Sequence, residues 1–219
     1  MDKGRRGRRR AVTGGTVLVA VAVAAVAALG APSALAGEVS AGGGAGARAE
    51  QPGFLEPSDM PPDPFSAWYG TGGPAAGMPG SPRCVDGSFP FPENDLWSAS
   101  YSTPETASAE QVVVVLPSEA EAAAFAERVD AALARCEATL EAEYPDRDVT
   151  YWDHGRVDVE EGAHVHGAGY QGFHGYQNIL SSVGRDGAVV TIVTWESNWG
   201  SPPVAAFKET TRTAVNKLY

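Results

Sequence analysis

The stretch that decides the fold runs from Gln111 to Leu140, QVVVVLPSEAEAAAFAERVDAALARCEATL. Its opening run, Gln111 to Leu116, is continuously apolar after the first residue and rich in β-branched side chains, the pattern of a buried strand. Pro117-Ser118 breaks that run. Ser118 stands as an N-cap, and Glu121 three residues on completes a capping box, which predicts a helix start. Phe125, Val129, Ala132, Leu133, Cys136 and Leu140 then recur at helical spacing and form one apolar stripe. Pro145 ends the predicted helix.

Working outward, Leu96 to Ser102 alternates as a strand. Beyond the helix, Asp148 to Trp152 and Arg156 to Glu160 flank Asp153-His154-Gly155, which reads as a short hairpin connection. Ala163 to Tyr170 is a further strand. Tyr176 to Val183 and Ala188 to Trp195 flank Asp186-Gly187, a strong hairpin signal. A last helix follows Ser201, with Pro202 in its first turn and Val204, Phe207, Thr211, Ala214, Val215 and Leu218 facing inward. The order β-β-α-β-β-β-β-β-α predicts an α+β fold, an antiparallel β-sheet with two amphipathic helices packed on one face.

The N-terminal region is of another kind. Six basic residues precede an apolar run from about Val17 to Leu29, and Ala34-Leu35-Ala36 follows. This reads as a secretory signal peptide over residues 1–36, cleaved after Ala36. The run is shorter than the ~20 residues a membrane span needs, so no stable membrane insertion is expected after cleavage. Residues 37–80, with Gly42-Gly43-Gly44 and recurrent prolines, read as a Gly/Pro-rich flexible linker in which Phe54, Phe65, Trp68 and Tyr69 are isolated aromatics. The folded domain is expected over 81–219.

Without residues 1–36 the chain keeps 10 basic and 26 acidic residues, a net charge of −16. That balance excludes nucleic acid as a natural partner, since such binders need a positive surface. Arg exceeds Lys by 13 to 3, a bias that goes with a high-GC bacterial genome. The two cysteines, Cys84 and Cys136, allow one pairing, and an exported protein favours the disulfide.

The helix Glu119 to Glu141, with Cys136 on its inward face, and the segment Gln177 to Tyr219, with its hairpin NILSSVGRDGAVVTIVT (Asn178 to Thr194), resemble the PknH-like extracellular sensor domain family. The resemblance implies an antiparallel sheet flanked by helices, a ligand-sensing role outside the cell and no catalytic motif. Family members commonly carry two disulfides, whereas this chain can form one. The expectation is a secreted, kinase-free member: a non-enzymatic, sensor-like ligand-binding protein.

All four histidines lie between positions 154 and 174. His164 and His166 share one strand face, a spacing that holds zinc if His174 or a carboxylate from Asp153, Glu160 or Glu161 converges. A metal-binding protein or metal-dependent enzyme is therefore an alternative, with zinc as its cofactor; the sensor reading needs none. A third possibility is an envelope-associated structural protein acting through its tail. No G-x-S-x-G elbow or Gly-rich phosphate loop is present. The expected ligand surface is the aromatic set Tyr170, Phe173, Tyr176 and Trp199, around the Gly-rich stretch Gly162 to Gly175. Its partner would be a small molecule or a cell-envelope component.

Overall fold

A computed structural model describes residues 51–77, 81–85 and 95–219. The expected signal peptide, its cleavage site and the first part of the linker lie outside these residues. Seven strands, β1 (Tyr69–Ala76), β2 (Leu96–Ser102), β3 (Ala107–Val115), β4 (Val149–Val157), β5 (Ala163–Gly172), β6 (Gly175–Asp186) and β7 (Val189–Ser197), form one sheet in the order β1-β2-β3-β7-β6-β5-β4. All six pairings are antiparallel. Among the described residues three α-helices accompany it: α1 (Glu119–Leu133), α2 (Cys136–Glu143) and α3 (Val204–Asn216). The α+β class with an antiparallel sheet is as expected.

The placement of the helices differs from expectation. Successive residues of β6 face opposite ways: Ile179 and Val183 pack with Phe125, Val129 and Leu140 of α1–α2, while Leu180 packs with Phe207, Ala214 and Val215 of α3. The two amphipathic units therefore cover opposite faces of the sheet. The central strands are buried on both sides, which is why Val112, Val113 and Val114 all lie at 0% exposure.

The long predicted helix is also divided. Ser118 accepts from the Glu121 backbone as an N-cap, but α1 ends at Leu133 and the chain turns at Ala134-Arg135 before α2 begins at Cys136. Cys136 then meets Cys84 in a disulfide, with the Cα atoms 5.1 Å apart.

Much of the expected linker is ordered and packed. Leu55, Met60 and Trp68 are buried in the α3-side core. Backbone atoms of Leu55 accept from the Tyr101 hydroxyl at 2.6 Å and donate to Gln111 at 2.8 Å. Trp68 donates its indole N–H to Pro61 at 2.7 Å, and Lys217 pairs with Asp59 at 2.5 Å. Residues 69–76 add β1 at the sheet edge. A Gly/Pro-rich composition hid this strand, because a β1 exposed throughout carries no apolar alternation to read.

Asp153-His154-Gly155 is a bulge inside β4 and not a hairpin turn. Asp153 pairs with His166 and Gly155 with Val165, so one residue is inserted there. Gly155 takes φ +83°, and its N–H donates to the Asp153 carboxylate at 2.7 Å. The insertion reverses the side-chain parity. Arg156, opposite His164, therefore shares the α1 side with Tyr151 and Asp153, while Val157 turns to the α3 core.

Candidate functional site

The register of the sheet brings polar residues into one row on the α1 side. Ser100 pairs with Glu110, Glu110 with Thr194, Thr194 with Ser181, Ser181 with His166, and His166 with Asp153. Beyond Ser100, each sits two residues from an apolar neighbour packed under α1–α2, such as Val112, Ile192, Ile179, Ala168 or Tyr151. Period-two alternation therefore puts the row on the core-facing surface. Buried polar atoms normally find partners, yet among the described residues Glu110 Oε1, Thr194 Oγ1 and Ser181 Oγ have none.

One end of the row opens into a cleft of about 580 Å³ over β2, β3 and β7. Its lining is rich in hydroxyls, with Ser100, Ser102, Ser108 and Thr194 beside Glu110 and Glu196. Arg83 forms one wall, 3.2 Å from Glu196 and 3.3 Å from Glu143. Its position follows from the disulfide at the next residue. Burial, seconded by the Glu196 charge, pushes the Glu110 carboxyl above its ordinary range. Burial works against the Arg83 charge, but the Glu196 and Glu143 carboxylates outweigh it and hold the guanidinium charged.

The other end is a histidine–carboxylate cluster. Asp130 Oδ1, from the C-terminal half of α1, lies 2.7 Å from His164 Nδ1 and 2.8 Å from His166 Nε2. The two rings lie 4.2 Å apart. Each remaining ring nitrogen is also engaged: His164 Nε2 with Asp153 at 2.8 Å and His166 Nδ1 with the Tyr151 hydroxyl at 2.8 Å. His166 is 2% exposed, and burial lowers its basicity despite the Asp130 hydrogen bond. The His164 hydrogen bond, with that from Gly155, holds the Asp153 carboxyl below the usual range. A cavity of about 200 Å³, lined in part by Asp130, His164, Arg156 and Arg185, adjoins the cluster.

The other singled-out residues do not converge. His174 is exposed in the β5–β6 turn, beyond the Gly172–Gly175 pair that closes the hairpin six residues along from His166–Ser181, and so at least about 20 Å away. His154 points to the α3 side over Gly167, where an added Cβ would come within 2.4 Å of its ring. Tyr170 is buried and stacked on Tyr144 at 4.8 Å. Tyr176 lies over Gly169 on the α3 side. Phe173 is 92% exposed beneath the Arg147 guanidinium. Trp199 stands edge-to-face with Phe65 at 5.7 Å, beside a separate cleft of about 270 Å³. Of the carboxylates suggested for a metal, Asp153 reaches the histidines through His164, while Glu161 instead approaches Arg185 at 3.6 Å.

Residues 90–184 match the model of the PknH-like extracellular domain family. The resemblance read from the sequence is thereby shown, and the match spans β2 to β6 with Glu110, Asp130, His164 and His166. The crystal structure of the extracellular domain of PknH from Mycobacterium tuberculosis is similar at 14% identity and a TM-score of 0.38, over 58% of this chain and 66% of that one. No curated protein matches. Among the described residues no helix is long and apolar enough to cross a membrane. An extracellular location fits the matched family.

Proposed function

We propose that this protein is exported, released by cleavage after Ala36, and acts as a non-enzymatic, sensor-like domain. It recognises a small polyhydroxylated ligand, such as a sugar of the cell envelope, in the cleft over β2, β3 and β7. The observation that carries the reading is the floor of that cleft. Glu110 Oε1 and Thr194 Oγ1 are buried there without partners, and an unmade buried hydrogen bond costs roughly 1–3 kcal/mol. A ligand hydroxyl donating to Glu110 and one accepting from Thr194 would recover that cost. The serine hydroxyls around them extend the same chemistry. Aromatic residues rim a different cleft, so Trp199 and Phe65 stand as a secondary contact surface.

The test is titration calorimetry with a panel of mono- and disaccharides and amino sugars. At least one should bind. Thr194→Val, which keeps shape and removes the hydroxyl, should weaken it about tenfold, the value of a ~1.4 kcal/mol hydrogen bond. A panel whose binding is unchanged in both Thr194→Val and Glu110→Gln would refute the cleft assignment.

A further inference from the structure

We infer that Asp130, His164 and His166 form a zinc-class divalent metal site, with Asp153 and Tyr151 as positioning residues. This inference is independent of the polyol cleft, which lies at the other end of the polar row.

Three features carry it. The candidate donor atoms of Asp130, His164 and His166 all lie within 4.8 Å of one another. A tetrahedral ion with ligand bonds near 2.0–2.1 Å separates its donors by about 3.3 Å. The Asp130 contacts at 2.7 and 2.8 Å thus need to open by only about half an ångström around an ion. Side-chain torsion of Asp130 on α1 supplies that movement.

The second feature is the outer contacts. A metal-bound imidazole usually hands its other ring nitrogen to a carboxylate or hydroxyl, which fixes the tautomer and aims the ring. Here Asp153 takes that place on His164 and Tyr151 on His166. The β4 bulge helps to fix Asp153 by donating the Gly155 N–H to its carboxylate.

The third feature is access. Two ligands come from β5 and the third from α1 packed on it, and the adjoining cavity of about 200 Å³ meets Asp130 and His164. A fourth, exchangeable ligand such as water has room there. In the metal-bound state His164 Nδ1 and His166 Nε2 give their lone pairs to the ion, and each neutral imidazole carries its single proton on the other ring nitrogen, facing Asp153 or the Tyr151 oxygen. Two imidazoles and one carboxylate suit zinc and its first-row neighbours better than magnesium or calcium. Arg156 and Arg185 line the same cavity, but Arg185 is paired with Glu161. Asp130, Asp153 and the cavity residue Glu127 supply the opposing charge.

The experiment is zinc titration of the untagged protein against a chromogenic chelator, with Co²⁺ as a spectroscopic substitute. One zinc per chain is expected, together with the visible absorption of four-coordinate Co²⁺. Asp130→Asn and His164→Gln should each lower zinc affinity at least 100-fold while leaving the circular dichroism spectrum unchanged. Asp153→Asn should lower it 10- to 100-fold and shift the Co²⁺ spectrum. His174→Gln and His154→Gln should leave it unaltered. Absence of zinc uptake at micromolar free metal overturns the proposal. Uptake that survives both Asp130→Asn and His164→Gln overturns it equally, since the ion is then an adventitious surface ligand.

Discussion

Removing the Cys84–Cys136 bridge should cost this protein more stability than any single side-chain truncation at its surface. The bridge spans 52 residues, and the loop it closes contains β2, β3 and α1. In the chain-entropy treatment a loop of that length constrains the unfolded chain by about 4 kcal/mol. For a domain of this size each kcal/mol moves the melting temperature by roughly 2–4 °C. Cys84→Ala/Cys136→Ala should therefore melt about 8–16 °C below the wild type. Both cysteines are nearly buried, at 7% and 4% exposure, so alanine avoids burying a new hydroxyl. The effect should reach the cleft as well, because Arg83 is held beside Glu196 by the residue that follows it. The assay is thermal denaturation by circular dichroism, with thiol titration of the denatured wild type to show no free thiol. A loss below about 1 kcal/mol, or two titratable thiols in the wild type, would show that the bridge does not stabilise the fold in this way.

Three further outcomes follow. Glu110 has a raised folded-state pKa, so its contribution to stability is present below the ordinary glutamate range near 4.5 and is lost as pH rises through the folded value. Glu110→Gln should accordingly raise the melting temperature at pH 7 and change it little at pH 4; an equal effect at both pH values would contradict the burial argument. Tyr170→Ala should destabilise by about 3 kcal/mol as a core truncation, whereas Phe173→Ala should fall within about 0.5 kcal/mol of the wild type, a contrast readable from paired denaturant curves. Gly184→Ala places a Cβ 2.4 Å from Val215 of α3 and 2.9 Å from Ala163, and this overpacking should cost about 1–3 kcal/mol, measurable by the same curves.

The parts of the fold legible in the sequence are those written in local chemistry. Ser118 and Glu121 marked the start of α1, and Asp186-Gly187 marked the β6–β7 turn, where Gly187 takes φ +53°. The alternation from Leu96 to Ser102 coincides with the bounds of β2. What escaped was non-local. Whether α1 and α3 share a face depends on which of Ile179 and Leu180 meets which helix, and continuous apolar strands conceal that parity. Trp68 and Leu55 sit in a Pro-rich segment whose core contacts are made with β2, β3 and α3. The bulge at Asp153 mimics a hairpin because Asp-x-Gly serves both.

The candidate sites divide in the same way. His164 and His166 were visible as an i, i+2 pair, while Asp130 lies 34 residues from His164 and joins it only when α1 crosses β5. Glu110, Thr194 and Ser181 were each a polar residue at an inward strand position, a signal present in the sequence. Their alignment into one row needed the strand order, which no local pattern supplies. The expected aromatic set separated because Tyr170 and Tyr176 extend to opposite faces of the sheet.

The proposed ligand site is the hydroxyl-lined cleft over β2, β3 and β7. The most direct measurement is backbone amide chemical-shift mapping with the tightest-binding sugar of the panel. The largest perturbations should fall on Ser100, Ser102, Ser108, Glu110, Thr194 and Glu196. Perturbations centred on Phe65 and Trp199, or on the β5–β6 turn around Phe173, would contradict it.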